Sequence, residues 1–249
     1  MKILCTNDDG IFARGIDLNI EVCAAIADEV FVVAPDKEQS GASHSLTLYR
    51  PLRAIPRGDR RWAVDGTPTD CTMLALGAIL PAKPDFVVSG VNHGPNMGED
   101  VLYSGTVSAA MEAVSLGLPA VALSFAGHDL DMLPSWRGRL EKLLRSVLSA
   151  CPQPPTFLNI NLPPVAAEQA RGVRITTLGS RVYEGSLKHM KDPFGRDIYW
   201  IGGGNINWKG GEMSDVAAVQ AGYVSVTPLQ LDLTHHATLE TVRKLKFDL

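Results

Sequence analysis

Cysteine is scarce in this sequence, and its cysteines form no metal or redox motif. Cys5, Cys23, Cys71 and Cys151 are widely separated, without a Cys-x-x-Cys pair and without a Cys/His pair at zinc spacing. Cys5 falls in a predicted strand and Cys23 on the apolar face of a predicted helix. We therefore expect buried, reduced thiols rather than a zinc site.

Basic clusters and long apolar runs are also missing. The 249 residues include 23 basic and 27 acidic side chains, and no Lys/Arg cluster is longer than Arg60-Arg61. This argues against a protein that binds nucleic-acid polymers, although it leaves room for a small anionic substrate in a local pocket. No stretch reaches membrane-spanning length, so we expect a soluble, cytoplasmic protein without a membrane partner.

Several common catalytic signatures are absent as well. The sequence has no Gly-x-x-x-x-Gly-Lys phosphate loop, no His-Glu-x-x-His helix and no Gly-x-Ser-x-Gly elbow. The run Gly202-Gly-Gly204 falls short of a dinucleotide fingerprint and does not follow a first strand. Any chemistry must therefore come from residues outside these motifs.

What the sequence does contain is an alternation of buried-strand and helical patterns. Lys2 to Thr6 and Glu29 to Ala34 are apolar runs that flank a helical pattern, which predicts a βαβ unit with parallel strands. We expect an α/β fold with a doubly wound, mostly parallel, Rossmann-like sheet. Further strands are predicted at 46–55, 61–64, 85–89, 119–125, 156–162 and 223–227, and further helices from Thr67, from about Gly105, and at 133–148, 215–221 and 239–245.

The segment from Val173 to Gly211 interrupts this alternation with strand-like stretches and an Asp192-Pro-Phe-Gly195 turn. We interpret it as a β-rich C-terminal extension, an arm for oligomer contacts. The whole chain, 1–249, is expected to be a single domain with a core at about 1–165 and 212–249 and the extension at about 173–211.

The first predicted strand runs directly into the acidic turn Asn7-Asp8-Asp9-Gly10. Ligand crevices of open α/β sheets lie at the carboxyl ends of the strands, so Asp8 and Asp9 are candidates for a metal site. An exposed turn with solvated charges is the alternative, and these residues alone do not decide between the two.

The loop after the second strand reaches the same edge of the sheet and carries Ser40 and His44. Ser40 lies beside a glycine, where serine is commonly a turn residue, but its hydroxyl could also face the crevice. His44 is more simply explained as a structural or loop histidine.

A glycine-rich segment from Ser89 to Thr106 is the second informative stretch. Such long loops are usually functional, and Asn92 and Asn96 would add amide groups to the crevice. Ser104-Gly105-Thr106 precedes an amphipathic helix, so its N–H groups and helix dipole form a site for an anion. Ser104 as a plain N-cap is compatible with that role, and the role of His93 stays open.

Asp8, Asp9, Ser40 and Asn92 together form a set of oxygen ligands at three strand ends. Such ligands suit one divalent cation, Mg²⁺ or Mn²⁺. An anion site beside that ion indicates a phosphoryl substrate, and activation of a water molecule there predicts hydrolysis. On this hypothesis Asp8 and Asp9 are catalytic, with Asp9 or a neighbour orienting the water, and the acid for the leaving group is unassigned.

Five ordered motifs resemble the survival protein SurE family: Asn7-Asp-Asp-Gly10, Ala34-Pro-Asp36 through Ser40-Gly41, Asp65-Gly-Thr-Pro-Thr-Asp-Cys71, Ser89-Gly-Val-Asn92-x-Gly-Pro-Asn96 and Tyr103-Ser-Gly-Thr-Val107. The resemblance spans essentially the whole chain. It implies a metal-dependent 5′/3′-nucleotidase that acts on nucleoside monophosphates and on short polyphosphate. It also implies the metal ligands Asp8, Asp9, Ser40 and Asn92, and phosphate binding by Asn96, Ser104, Gly105 and Thr106. A homodimer or homotetramer is implied too. One departure is Met213, where the family pattern has glycine.

Two other functions remain open at this point. A metal-assisted nucleotide or phosphate binder without turnover, active in a stress response, would use the same turn and helix end. A phosphotransferase would need an acceptor that competes with water. Release of inorganic phosphate separates the binder from both enzymes.

Overall fold

In the computed structural model, which describes residues 1–150, 155–184, 187–201 and 205–247, the first strand, β1 (Lys2–Thr6), is buried on both faces. Ile3 and Cys5 belong to one hydrophobic cluster, whereas Leu4 belongs to another. Because successive strand residues point to opposite faces, the sheet must be covered on both sides. The run Gly202–Gly204 and Cys151 lie outside the described residues.

Helices supply both covers. The cluster around Ile3 contains side chains of α1 (Arg14–Ala24) and α4 (Arg137–Ala150), and the cluster around Leu4 contains side chains of α2 (Pro68–Leu74) and α3 (Gly105–Ser115). The remaining α-helices are α5 (Asp215–Gln220) and α6 (His236–Arg243). Thr67 is the N-cap of α2 and Pro68 is its first helical residue, as predicted.

The described strands form one large sheet and two small ones. In chain order, the remaining strands are β2 (Glu29–Pro35), β3 (Ala54–Pro56), β4 (Arg61–Val64), β5 (Phe86–His93), β6 (Ala120–Phe125), β7 (Phe157–Leu162), β8 (Val173–Ile175), β9 (Ser180–Glu184), β10 (Leu187–Lys191), β11 (Asp197–Ile201), β12 (Asn205–Lys209) and β13 (Val224–Leu229). The large sheet has the order β3-β4-β2-β1-β5-β6-β7-β13-β8.

Strands β4, β2, β1, β5, β6 and β7 are parallel, whereas β3 pairs antiparallel with β4 and β13 pairs antiparallel with β7. The predicted doubly wound, mostly parallel α/β fold is confirmed. Since β2, β1 and β5 are parallel neighbours, their carboxyl ends meet at one edge, which is where the site forms.

The predicted end of β5 at Ser89 was wrong. The strand continues to His93, and a short 3₁₀-helix, Gly98–Leu102, occupies part of the predicted loop. Gly90 is a strand residue at a close backbone approach, because a Cβ atom there would lie 2.2 Å from the carbonyl oxygen of Leu123. Val91 is likewise buried. The glycine that suggested a turn is therefore required by sheet packing.

The predicted strand 46–55 was also wrong in extent, since only Ala54–Pro56 pairs with β4. Leu48 and Tyr49 are 74% and 101% exposed, so apolar residues in this segment do not face the core. The terminal helix begins earlier than predicted, at His236, and buries none of its residues. Cys5, Cys23 and Cys71 are buried and free, as expected.

The predicted extension is β-rich: its first strand, β8, joins the large sheet beside β13, whereas its other four strands pair among themselves. β9 pairs with β12 and β10 pairs with β11, and neither pair is hydrogen-bonded into the large sheet. The Asp192–Gly195 turn closes the β10–β11 hairpin, where the Gly195 N–H donates to the Asp192 carbonyl oxygen at 2.9 Å. Met213, where the resemblance implies glycine, is 67% exposed, and its carbonyl oxygen accepts the Thr177 N–H at 3.0 Å.

No helix among the described residues is both long enough and apolar enough to cross a membrane.

Candidate active site

Asp8 and Asp9 lie where the backbone leaves β1, and the turn is held by local hydrogen bonds. The Asn7 side-chain amide donates to the Gly10 carbonyl oxygen at 2.8 Å, and Gly10 has a φ of +100°. A Cβ atom at Gly10 would also lie 3.2 Å from the carbonyl carbon of Lys37. Glycine is therefore required both by the conformation of the turn and by its contact with the next loop.

Asp8 is only 4% exposed, which rules out the solvated turn for this residue. The Thr106 hydroxyl donates to Asp8 Oδ1. Burial raises the pKa of Asp8 to about 6, against the lowering effect of the Thr106 hydrogen bond and with a further rise from the Asp9 charge. Burial is therefore the dominant influence on this carboxylate.

Asp9 is less buried and has a different partner. The His93 backbone N–H donates to Asp9 Oδ2 at 3.1 Å, which ties the end of β1 to the end of β5. Burial is the largest influence on Asp9 and raises its pKa. Within the described part of the chain, neither Asp8 nor Asp9 forms a salt bridge with lysine, arginine or histidine.

The loop after β2 is attached directly to Asp8, because the Gln39 N–H donates to the Asp8 carbonyl oxygen at 2.8 Å. Ser40 is exposed, and its hydroxyl donates to Glu38 Oε1 at 2.7 Å. His44 lies 2.8 Å from the Glu112 carboxylate of α3, measured between Nε2 and Oε2. His44 therefore packs against a helix, which agrees with the structural role expected of it.

Asn92 and Asn96 reach the crevice by different routes. Asn92 is the next-to-last residue of β5, and its amide nitrogen donates to the Gly94 carbonyl oxygen at 2.9 Å. Asn96 is 6% exposed and donates from its side chain to Ser124 Oγ at 2.8 Å. The amides of Asn159 and Asn161 in β7 both donate to the Asn96 carbonyl oxygen, at 2.7 and 3.0 Å. These bonds hold the segment after β5 against the sheet.

The N-terminus of α3 abuts Asp8. The Ser104 hydroxyl accepts the Val107 N–H at 3.0 Å, which makes Ser104 the N-cap as predicted. A Cβ atom at Gly105 would lie 2.8 Å from Asp8 Cβ and 3.0 Å from Asp8 Oδ2. Glycine is therefore required at this position for the helix end to approach the carboxylate.

A cavity of about 240 Å³ joins these parts, and five of the predicted site residues line it: Asp8, Ser40, Asn92, Asn96 and Ser104. The other three predicted residues, Asp9, Gly105 and Thr106, do not line the cavity but contact its wall through His93 or Asp8. The structure thus brings the predicted set together around one space.

The sequence analysis missed two charged residues of the lining, Asp100 and Arg181. Asp100 lies in the 3₁₀-helix after β5, and Arg181 lies in β9 of the extension. Arg181 Nη1 donates to both carboxylate oxygens of Asp100. No sequence pattern singles out this arginine from the other basic residues, since its partner is far away in the chain.

A second cavity, of about 270 Å³, is lined mainly by apolar residues of α4 and its neighbours, including Trp136, Leu140, Leu143 and Val224. It shares no residue with the first cavity and contains none of the predicted site residues. Among the described residues, no group of three or more His, Cys, Asp or Glu side chains could hold a metal ion. A cation at the first cavity would therefore depend on hydroxyl and amide oxygens besides Asp8 and Asp9.

Comparisons with known proteins show which family the chain is similar to. The family described as "Survival protein SurE" matches residues 3–185. The chain is 57% identical over 246 residues to "5′-nucleotidase SurE" of Gemmatimonas aurantiaca, covering 97% of each chain. It is 48% identical over 245 residues to the protein of the same name in Geotalea uraniireducens, covering 98% of each chain. Its fold is similar to the crystal structure of the SurE protein from Aquifex aeolicus, with a TM-score of 0.86 and 39% identity over 98% of each chain.

Proposed function

The chain belongs to the survival protein SurE family, and on that premise we propose that its cavity hydrolyses nucleoside 5′- and 3′-monophosphates to nucleoside and phosphate. The names of its relatives support the nucleotidase activity. One divalent cation, Mg²⁺ or Mn²⁺, is part of the proposal, and short polyphosphate is a further substrate to be tested.

One observation carries this proposal: a buried carboxylate lies directly against a helix N-terminus. The Thr106 hydroxyl of α3 donates to Asp8, and no side chain fits at Gly105 between the helix and Asp8. A phosphate needs N–H donors and a positive dipole, whereas a hard cation needs carboxylate oxygen. Both requirements are met on one wall of the cavity.

The donor set fits a hard divalent cation. Asp8, Asp9, Ser40 and Asn92 would hold it through oxygen atoms alone, which excludes the soft ligands that favour other metals. Because the amide nitrogen of Asn92 donates to Gly94, its amide oxygen is the atom left for a cation. The Ser40 hydroxyl likewise uses its hydrogen on Glu38 and keeps its lone pairs. Such an ion, when bound, polarises a phosphoryl oxygen and lowers the pKa of water.

The residues of the chain would then position the substrate. Ser104 lines the cavity at the end of α3 and would contact the phosphate there, with Gly105 and Thr106 behind it at the helix N-terminus. Asn96 is held by Ser124 and has a second N–H of its amide group to donate. Asp9 is proposed to orient the attacking water, since it is partly buried at the cavity wall and fixed by the His93 N–H. His93 lines the cavity, but the leaving-group acid stays unassigned.

We also propose that the protein is a homodimer or homotetramer in the cytoplasm and that the β10–β11 hairpin contributes to the assembly. Leu187, Trp200 and Ile201 are 67%, 63% and 85% exposed on this hairpin. A two-stranded ribbon is at best marginally stable in water without further packing. A second copy of the chain would cover these side chains.

The test is release of inorganic phosphate from 5′-AMP and 3′-AMP by the purified protein with Mg²⁺, with Mn²⁺ and with EDTA. We expect release that depends on metal and that falls by about 10³-fold or more in Asp8→Asn, because this substitution removes the negative charge and one oxygen ligand that would hold the cation. Asp9→Asn is expected to lose turnover as well.

Asp59→Asn is the matched control, since Asp59 is exposed in the turn between β3 and β4 and should leave the rate unchanged. An active Asp9→Asn variant would contradict the assignment of Asp9. If the protein binds inorganic phosphate but releases none from either nucleotide, the hydrolase proposal would be wrong, and the protein would be a phosphate binder without turnover.

A further inference from the structure

Arg181 is the one permanently cationic side chain among the described residues that line the cavity at the end of β1. The other ionisable groups of the lining are Asp8, Asp100, His93 and Tyr103. A phosphate monoester is an anion, so a cavity with two carboxylates needs positive charge to admit it. A cation at Asp8 supplies part of that charge on one side only.

We propose that Arg181 is a phosphate-binding residue of this site, and that the β-rich extension is therefore part of the substrate pocket. The inference rests on the proposed function, because it concerns how the same cavity recognises a phosphate monoester. A guanidinium group is suited to this task, since its planar array of five N–H donors matches the oxygen atoms of a phosphate.

The surroundings of Arg181 hold its side chain at the cavity. The Arg181 and Asp100 side chains are only 17% and 11% exposed, so the pair is largely removed from water. Arg181 Nη1 donates to both carboxylate oxygens of Asp100, and this contact fixes the direction of the side chain. The guanidinium carbon also lies 5.4 Å from the centroid of the Trp208 ring, on the neighbouring strand β12.

The backbone of Arg181 is held by the same 3₁₀-helix that carries Asp100. The Arg181 N–H donates to Glu99 Oε2 at 2.5 Å, and the Ser180 hydroxyl donates to Glu99 Oε1 at 2.7 Å. Asp215 accepts the N–H groups of Gly98 and Gly179, at 3.0 and 2.7 Å. The 3₁₀-helix Gly98–Leu102 and the start of β9 are thus tied together, and Ser104 follows that helix by two residues.

A purely structural ion pair is the competing explanation for these contacts. Breaking a buried pair leaves one charge without a partner and destabilises a protein, whatever its function. The double variant Arg181→Gln/Asp100→Asn separates the two explanations, because it removes both charges and keeps groups that can hydrogen-bond to each other. Arg196→Gln is the matched control: Arg196 is an arginine of the same extension, paired with Asp192 at 2.7 Å and outside the cavity.

The experiment measures kcat and KM for 5′-AMP, the inhibition constant of inorganic phosphate, and calorimetric binding of inorganic phosphate in the presence of Mg²⁺. We expect Arg181→Gln to weaken phosphate binding and to lower kcat/KM by about 10- to 100-fold, as for the loss of a charge-assisted hydrogen bond. The double variant should bind phosphate as weakly as Arg181→Gln does, whereas Arg196→Gln should bind phosphate and turn over 5′-AMP as the wild type does. Arg181→Lys keeps the charge but not the planar donors, so its phosphate affinity should lie between those of Arg181→Gln and the wild type.

Wild-type phosphate affinity in Arg181→Gln, or recovery of that affinity in the double variant, would overturn the proposal. If Arg181→Gln does not fold, as judged by its melting temperature, the double variant and Arg181→Lys decide the question in the same way. Calorimetry keeps this test independent of turnover. A wild-type protein that releases no phosphate but binds it through Arg181 refutes the hydrolase and supports the inference, whereas a wild type that binds no phosphate overturns the inference.

Discussion

The two walls of the cavity are built differently. The core wall consists of strand ends and the N-terminus of α3, where Asp8 is 4% exposed and the backbones approach so closely that glycine is required at position 105. The extension wall is a two-stranded ribbon, β9 and β12, from which Arg181 lines the cavity among the side chains that the structure describes. The core wall is fixed by short, buried groups, whereas the extension wall supplies charge through a long arginine that depends on Asp100 and Trp208 for its position.

The comparison also concerns electrostatic cost. Burial raises the pKa of Asp8 and Asp9 at the core wall, whereas hydrogen bonds to neighbouring groups lower the pKa of Asp192 and Asp197 in the exposed β10–β11 hairpin. The core wall therefore holds charge where water is excluded, at a cost in stability that a bound cation would offset. The hairpin carries its charges in solvent, where each is worth little.

The largest effect should appear when the charge of Asp8 is removed in the absence of metal. The folded-state pKa of about 6 lies above the ordinary value of 3.8, so the folded protein binds the proton more tightly. Stability should fall as pH rises through this interval, and above pH 6 ionised Asp8 costs about 3 kcal/mol. We expect Asp8→Asn to be more stable than the wild type by up to that amount at pH 8 with EDTA, and similar at pH 4.

Urea unfolding of both proteins at the two pH values measures this difference. An equal difference in unfolding free energy at pH 4 and pH 8 would show that Asp8 is not under electrostatic stress, and the contrast between the walls would then lose its basis.

The second-largest effect is expected from a methyl group at position 105, which should disturb the core wall. In Gly105→Ala the new Cβ atom would meet Asp8 Cβ at 2.8 Å and Pro68 Cγ at 3.0 Å, so Asp8 must move. Displacement of a catalytic group by about 1 Å costs on the order of 100-fold in kcat/KM. Gly138→Ala in α4 is the control, because nothing lies within 4 Å of its Cβ position and alanine favours a helix. Steady-state kinetics of both variants test this prediction. A fully active Gly105→Ala variant would show that the close approach of α3 to Asp8 is not needed for activity.

Weakening the contact that joins the two walls, at Asp215, should reduce activity less than the change at position 105. In Asp215→Asn an amide NH₂ replaces one carboxylate oxygen, so either the Gly98 or the Gly179 N–H loses its acceptor. A buried donor without a partner costs about 1 to 3 kcal/mol, and we expect kcat/KM to fall by about tenfold as the walls separate. Melting temperature and kinetics should change together. A loss of stability with unchanged kinetics would mean that the walls do not depend on this link.

Disruption of the hairpin should have the smallest effect on chemistry. Substitution of Trp200 and Ile201 by serine removes exposed apolar surface that we assign to the assembly. We expect dissociation to a smaller species in size-exclusion chromatography with light scattering, and a change in kcat/KM of less than about threefold, since neither residue lines the cavity. A larger loss of activity would show that assembly holds the extension wall in place.

The sequence predicted the core wall far better than the extension wall. Asp8, Asp9 and Ser40 follow strands, Asn92 lies at the end of β5 and Ser104 precedes a helix, so the parallel sheet alone brings them together. Arg181 could not be predicted, because its place depends on contacts with Glu99 and Asp100 that no local pattern encodes. The end of β5 was wrong for a related reason, since Gly90 serves the packing against β6 instead of a turn.

The hydrogen bonds that close the cavity join residues far apart in the chain: Thr106 to Asp8 across 98 positions, Arg181 to Asp100 across 81, and Gly98 to Asp215 across 117. Such non-local contacts form only after long loops have closed, which makes them slow and late in folding. During synthesis, a chain extended through α4 already contains Asp8, Ser40 and Ser104 but neither Arg181 nor Asp215. Synthesis must therefore pass Arg181 and Asp215 before the cavity can be completed, so a chain that ends at α4 carries Asp8 and Ser104 without the extension wall.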